Sequence, residues 1–375
     1  MASVGIDFGT SYTCMAWFNP KTKQAEVIKN AQGEEKTPSL VYFGEDGILV
    51  GSPVENLLNT VQNLYYSDRQ KLLGYIIVSI KRNLISPPSI FLPNGKWIKP
   101  RDVVFHILSK LKRDAEEYHF GDEVDKAVLT CPYSFDPLQR DILLEAAEQT
   151  GFREVVLLDE PVAAGLAYVE MGQKVGNGVL VYDLGGGTFD LAFMLRDKTG
   201  EFRLAIEPYG DSRCGGNDFD QLLYTYFDEE SRESLDCAIS PGEVDKFFLK
   251  QCKTIKETLT SIPTTLLATC LFNGKLLRKE VKRTVFEDLI KAKIDKTIRK
   301  TVMMFKEVKE IPHPGNNGKG ADTLVLVGGA SRIPIIEEKL KAELHITPLK
   351  FMQQDLAVCL GAAYKAEQLW PSLKK

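Results

Sequence analysis

The segment Val4-Gly5-Ile6-Asp7-Phe8-Gly9-Thr10 returns in altered form near the middle of the chain, as Val181-Tyr182-Asp183-Leu184-Gly185-Gly186-Gly187-Thr188. Each copy reads as an apolar strand ending in Asp, a glycine turn, and a Thr that opens a second strand. The second strands, Thr13 to Phe18 and Thr188 to Leu195, are rich in β-branched, aromatic and apolar residues, which suit a pleated sheet. Each segment is therefore expected to be a hairpin, and the same hairpin opens each half of the chain. Two homologous lobes is the economical reading. Length agrees: a single hydrophobic core rarely grows past roughly 250–300 residues, and this chain has 375.

Between and after the hairpins, helix and strand patterns alternate, which argues an α/β fold. Val103, Val104, Ile107, Leu108, Leu111 and Ala115 fall at helical spacing. Lys126 to Cys131 reads as a strand that Pro132 stops. Asp136 is then an N-cap, with Pro137 in the first turn, Gln139 completing a capping box and Gly151 ending the helix. Val155 to Leu158 reads as a buried strand and Pro161 to Met171 as an Ala-rich helix. The second half reads as a helical stretch over 217–260, short strands near 264–285 and a basic helix over 286–309. A turn-rich loop from His313 to Gly320, expected to move, leads to a strand from Asp322 to Val327, the pair Gly328-Gly329 and a helix from Pro334.

Composition narrows the function. Lys+Arg of 47 against Asp+Glu of 51 gives a net charge of −4, which opposes a general nucleic-acid binder and leaves a local patch open. The basic stretch Arg278 to Lys300 reads as a solvated helix face, with a phosphate or partner surface as the alternative. The seven Cys (14, 131, 214, 237, 252, 270 and 359) form no framework and the four His have no metal-ligand spacing. Reduced, mostly buried thiols in a cytoplasmic protein without a zinc site is the simplest reading. The N-terminus has no basic residue before Lys21, so it does not read as a signal peptide. No stretch approaches the ~18–20 apolar residues of a membrane span.

The two hairpins carry the chemistry. Glycine lets backbone N–H groups approach a phosphate, successive amides form an anion-binding concavity, and Thr or Ser adds a hydroxyl donor. An Asp at each strand end supplies a hard oxygen, and Mg²⁺ binds carboxylates together with phosphates. One such turn alone is an ordinary tight turn. Two of them, one in each half, look like a clamp on a Mg-nucleotide phosphate chain. Leu158-Asp159-Glu160-Pro161 puts acids where a strand meets a helix, either to orient water or merely to suit the helix dipole. Val327-Gly328-Gly329-Ala330-Ser331-Arg332 suits close approach to a planar ligand or close helix–strand packing. A P-loop, a dinucleotide fingerprint and a nucleophile elbow are absent from the sequence.

These segments, with SIKRNL (79–84), TCPYSFDPLQR (130–140), DEPVAAGLAY (159–168), CGGNDFD (214–220) and QDLAVCLGAA (354–363), occur in an order that resembles the ATPase domain of the heat-shock protein 70 (DnaK-type) chaperones. That family lies within the actin-like ATPase superfamily, and the resemblance covers nearly the whole chain. It implies an actin-like α/β fold: two lobes, each with a ribonuclease-H-like core, around a nucleotide cleft. Lobe I would take residues 1–173, with the first hairpin and Lys81. Lobe II would take 174–375, with the second hairpin, an insertion over about 217–310, the adenosine-side segment 322–340 and the C-terminal helix.

By position, the resemblance implies that Gly9, Thr10, Ser11 and Tyr12 line the first phosphate turn and Gly185, Gly186, Gly187 and Thr188 the second. Asp7 and Asp183 would hold Mg²⁺ through waters. Lys81, Glu160, Asp190 and Thr188 would be catalytic. Gly215, Gly216, Lys256, Thr260, Gly328, Gly329, Ala330, Arg332 and Asp355 would form the nucleoside side. Pro132 and Arg140 match a relay that couples the cleft to a partner domain. The implied activity is Mg-dependent ATP binding and slow hydrolysis, with ATP or ADP as ligand and a co-chaperone or exchange factor as partner. No nucleic-acid or membrane partner is expected. A nucleotide-sensing or filament-forming relative without chaperone activity, and a sugar kinase, are the rival readings.

The chain departs from the family in four ways. Ala330 stands where Ser is usual, and Lys253 where Glu commonly meets the ribose. The stretch between Lys81 and Thr130 looks short. The sequence ends at Trp370 to Lys375, without the family's linker and peptide-binding domain.

Overall fold

The computed structural model describes residues 2–61, 64–172, 174–242, 244–314, 317–350 and 353–372. Gln173 at the expected lobe boundary, Gly315 and Asn316 of the turn-rich loop, and 373–375 lie outside the described residues.

Both expected hairpins form, and each nucleates a sheet. In the first, Ala2–Phe8 runs antiparallel to Tyr12–Asn19, with Asp7 opposite Cys14. In the second, Gly178–Leu184 runs antiparallel to Phe189–Arg196, with Asp183 opposite Asp190. Parallel strands extend each hairpin on the side of its first strand. Val124–Cys131 lies beside Ala2–Phe8, followed by Glu154–Asp159. Thr323–Val327 lies beside Gly178–Leu184, followed by Leu349–Lys350. Gln24–Ile28 closes the far edge of the first sheet, and Phe202–Leu204 closes that of the second. The sequence repeat is thus a repeat of sheet topology. The strand expected to be buried over Val155 to Leu158 forms as Glu154–Asp159, but it is the edge strand of its sheet and only partly buried, with Val156 at the surface.

The helices are α1 (Ser52–Thr60), α2 (Tyr66–Gly74), α3 (Pro100–Ala115), α4 (Pro137–Gln149), α5 (Glu160–Glu170), α6 (Gly216–Leu235), α7 (Lys246–Ser261), α8 (Arg283–Glu307), α9 (Pro334–Leu344) and α10 (Ala357–Leu369). Helix α3 buries Val103, Val104, Ile107, Leu108, Leu111 and Ala115. Helix α4 has the expected capping box: the Gln139 amide donates to Asp136 at 2.8 Å, and the Asp136 amide to the Gln139 side chain at 3.1 Å. Gly151 follows it at φ 90. Helix α8 starts at Arg283, directly after the hairpin Thr264–Cys270/Leu276–Lys282. Six of the seven Cys are buried, and Cys270 is exposed.

The C-terminal helix is the main difference from the expected lobe division. Helix α10 belongs by sequence to the second half, yet it packs on the strands of the first sheet and against α5. A Cβ on Gly5 would meet the Ala363 amide at 2.2 Å, and one on Gly361 would meet the Ala163 carbonyl at 1.7 Å. Small residues on α5 and α10 therefore allow the helices and the first sheet to touch at backbone distance. This alanine-rich layer joins apolar residues of both sheets in one cluster, including Ala16, Val181 and Val325. Separate clusters fill the outer side of each sheet.

Candidate nucleotide site

The parallel strands align their carboxyl ends: Asp7 is level with Thr130, Cys131 with Asp159, and Asp183 with Val327. Ligands of open α/β sheets bind outside such strand ends. Here the ends of the two sheets converge on a cavity of about 550 Å³.

Of the expected site residues, Asp7, Gly9, Thr10, Ser11, Tyr12, Lys81, Glu160, Asp183, Gly185, Gly186, Gly187, Thr188, Gly216, Lys256, Thr260, Gly328, Gly329, Ala330, Arg332 and Asp355 line this cavity. Asp190 and Gly215 do not. Asp190 sits opposite Asp183 on the second hairpin strand, and Gly215 packs against the backbone of Gly186 and Gly187. The two glycine turns meet face to face. A Cβ on Gly187 would lie 2.3 Å from the Thr10 hydroxyl, and one on Gly186 would lie 2.4 Å from the Ser11 hydroxyl. Side chains larger than hydrogen would force the turns apart. The Ser11 hydroxyl donates to Asn217 at 3.2 Å, and the Asn217 amide donates to Ser79 at 2.7 Å.

The deep end of the cavity is acidic. Lys81, on a short 3-10 turn after Ser79, donates to Glu160 at 2.5 Å, and both are buried. Burial first, then the neighbouring Glu160, pushes the carboxyl of Asp7 up to about 7. The same two causes push Asp190 up to about 7. Asp183 is pushed well above its ordinary value by burial, Glu160, Asp190 and Asp7. Burial alone would lower the Lys81 ammonium, but Glu160 and Asp7 hold it above its ordinary value. Neither carboxylate oxygen of Asp190 has a hydrogen bond among the described residues.

One lysine thus faces four carboxylates, an arrangement that is short of positive charge. A divalent cation fits that deficit. No group of three His, Cys, Asp or Glu among the described residues stands close enough to ligate a metal directly.

The opposite wall is basic. Lys253 of α7 donates to the Tyr12 hydroxyl at 3.0 Å and lies 4.2 Å from the ring centre. Lys36 stands 5.2 Å from the same ring and pairs with Asp355, which also takes Arg332 at 2.6 Å. Lys256 bridges Asp220 at 2.8 Å and the Gly216 carbonyl at 2.9 Å. Sequence reasoning missed Lys36, Asn217, Glu257 and Gln354. Of these, Asn217 and Gln354 lay in quoted motifs, and Lys36 comes to the wall through tertiary packing alone. Outside the cavity, Arg140 donates to Asp159 at 2.8 Å and to the carbonyls of Phe135 at 3.1 Å and Tyr133 at 3.2 Å. It thereby ties α4 to the strand that precedes Glu160.

A duplicated hairpin sheet, with one glycine turn from each copy facing across a cavity, defines an actin-like ATPase fold. A family model described as Hsp70 protein matches residues 3–375. The chaperone protein DnaK of Thermosipho melanesiensis is 34% identical over 376 residues, covering 97% of this chain and 58% of that protein. DnaK of Thermotoga maritima is 33% identical over 380 residues, covering 97% of this chain and 59% of that protein. The chain belongs to the Hsp70 family, and the sequence spans under two thirds of the length of these curated relatives.

Proposed function

We propose that this chain is the nucleotide-binding domain of an Hsp70-type chaperone, which binds ATP or ADP with Mg²⁺ and hydrolyses ATP slowly. The observation that carries the reading is the contact of the two glycine turns, from two copies of one sheet, over a buried pole of carboxylates. In this reading residues 1–173 and 174–375 form the two lobes, with α10 returning to the first, and nucleotide draws the lobes together.

The turn amides and the hydroxyls of Thr10, Ser11 and Thr188 hold the phosphates. Lys81 stays protonated and donates to the oxygens of the transferring phosphoryl group. Glu160 keeps Lys81 oriented and accepts a hydrogen bond from the attacking water, and Asp190, buried just outside the cavity lining, adds its charge to help orient water and metal. Positioning and charge stabilisation account for most of the acceleration in such transfers. Mg²⁺, when bound, would be held by Asp7 and Asp183 through waters and would neutralise phosphate charge. Gly328, Gly329, Ala330 and Arg332 face the base, and Lys256 and Thr260 line the opposite side.

A co-chaperone or exchange factor is the expected partner, and a cytoplasmic location fits the reduced thiols. Among the described residues no helix is long and apolar enough to cross a membrane. Phosphate release from ATP tests the activity. The expected result is slow, Mg-dependent release that ADP inhibits. No release above the uncatalysed rate at millimolar Mg-ATP would contradict it.

A further inference from the structure

The wall around Tyr12 holds a lysine that, among the described residues, has no carboxylate in ion-pair contact, although Glu257 of the same helix lies near enough to support its charge. Lys81 pairs with Glu160, Lys256 with Asp220, and Lys36 and Arg332 share Asp355. Among the described residues, Lys253 has no carboxylate in ion-pair contact. Its one hydrogen bond goes to the neutral Tyr12 hydroxyl, and Lys36 lies over the same ring. Burial works against the Lys253 charge, but Tyr12 and Glu257 outweigh it and hold the ammonium above its ordinary value. An ammonium offers three donors, so donors remain for a ligand. A half-buried cation beside a neutral ring is poorly compensated until an anion arrives.

Position restricts which part of a ligand that anion belongs to. Tyr12 ends the first glycine turn, whose amides and hydroxyls already serve a 5′-phosphate chain. From Tyr12 the wall runs through Lys36 and Asp355 to Arg332, at the end of the strip Gly328 to Arg332. Along the other side it runs down α7 through Lys253, Lys256, Glu257 and Thr260, all lining the cavity. The Lys253–Tyr12–Lys36 cluster therefore lies between the phosphate turns and the strip that faces the base. In a bound nucleotide, that is the place of the ribose.

Resting on the nucleotide reading above, we propose that Lys253 and Lys36 form an anion subsite for a phosphate carried on the ribose. The cavity would thus select nucleotides phosphorylated at the 2′ or 3′ hydroxyl over those with free hydroxyls. A ribose phosphate takes donors from both ammonium groups. The acidic deep end repels the same phosphate, so charge fixes which way the ligand lies. The shared chemistry is a phosphate dianion at the Tyr12 wall, and its other source is the terminal phosphate of the 5′ chain.

Titration calorimetry with Mg²⁺ tests this on ADP, ATP and the 2′- and 3′-phosphorylated forms of ADP. The expected result is at least tenfold tighter binding of one ribose-phosphorylated form than of ADP. Lys253→Ala brings that ratio close to one. Lys253→Glu brings it below one, because the new carboxylate repels the ribose phosphate and accepts from free hydroxyls. A ratio of affinities is unaffected by the fraction of folded protein, so partial misfolding of a variant does not blur the result. Equal wild-type affinities for ADP and both ribose-phosphorylated forms overturn the subsite, as does a preference that survives in Lys253→Ala. A gain seen for ATP over ADP alone assigns the wall to the 5′ chain and overturns the ribose assignment. Failure of every nucleotide to bind overturns the nucleotide reading itself and is distinct from the other outcomes.

Discussion

The cavity has two ends of opposite character, built by different means. At the deep end Asp7, Asp183, Glu160 and Asp190 surround Lys81, and burial raises three of those carboxyl groups. At the Tyr12 wall Lys36 and Arg332 share one carboxylate, Asp355, and Lys253 has none in ion-pair contact among the described residues. Backbone strands hold the deep end: Asp7 and Asp183 sit at equivalent places in two copies of one hairpin. Side chains from separate parts of the chain hold the wall. A cavity charged in this way favours a cation at one end and anions at the other, which is the charge pattern of a metal–nucleotide pair. The two ends should therefore respond differently to substitution, pH and metal.

The largest expected effect is at the deep end. Removing one preorganised donor to a charge that develops in the transition state costs roughly 10²–10³ in rate. Lys81→Ala should lower ATP hydrolysis by that factor while nucleotide affinity stays within about tenfold, since the turns still hold the phosphates. A single-turnover assay beside a binding titration separates the two quantities. Normal hydrolysis in the variant would reduce Lys81 to a structural counter-ion of Glu160.

A pH effect comes next. The carboxyls of Asp7 and Asp190 rise from an ordinary 3.8 to about 7 in the folded chain, chiefly through burial. Below the ordinary value both folded and unfolded chains hold these protons, and there is no cost. As pH climbs towards about 7 the unfolded chain gives up protons that the folded chain keeps, so stability falls, and above it the full cost remains. Without ligand, these groups should therefore make the chain less stable at pH 8 than at pH 5. Asp190→Asn should remove part of that slope and add on the order of 2 kcal/mol at pH 8. Denaturant melts at the two pH values measure it; an unchanged slope in the variant would show that Asp190 is compensated.

The smallest effect belongs to the base side. Ala330 presents a methyl group where a Ser would offer a hydroxyl, and a neutral hydrogen bond contributes about 0.5–1.5 kcal/mol net. Ala330→Ser should tighten ADP binding by about two- to tenfold. Unchanged affinity would mean that the base does not reach this residue.

The contrast between the two ends also explains what the sequence could reveal. The hairpins, their aspartates and the α4 capping box were legible because local pattern and local structure coincide in them. Glu160 was legible for the same reason, as an acid where a strand hands over to a helix. Lys36 was not, because its pairing with Asp355 joins residues far apart in sequence and nothing in its own neighbourhood marks it. Helix α10 was misassigned for a related reason. Its sequence position suggested the second lobe, while Gly5 and Gly361 permit an approach to the first sheet that only the fold displays. Asp190 was chosen as a site residue; the register sets it opposite Asp183 on the same face of the sheet, so it adds its charge to the deep end without lining the cavity itself.

The central claim is that the deep end takes the metal while the turns and the wall take the nucleotide. Titrating ADP into the ligand-free chain, once with Mg²⁺ and once with EDTA, tests that most directly. The account predicts one site of micromolar affinity with Mg²⁺, binding at least tenfold weaker without it, and loss of that difference in Asp183→Asn. Absence of binding at millimolar ADP, or equal affinity with and without the metal, would contradict it.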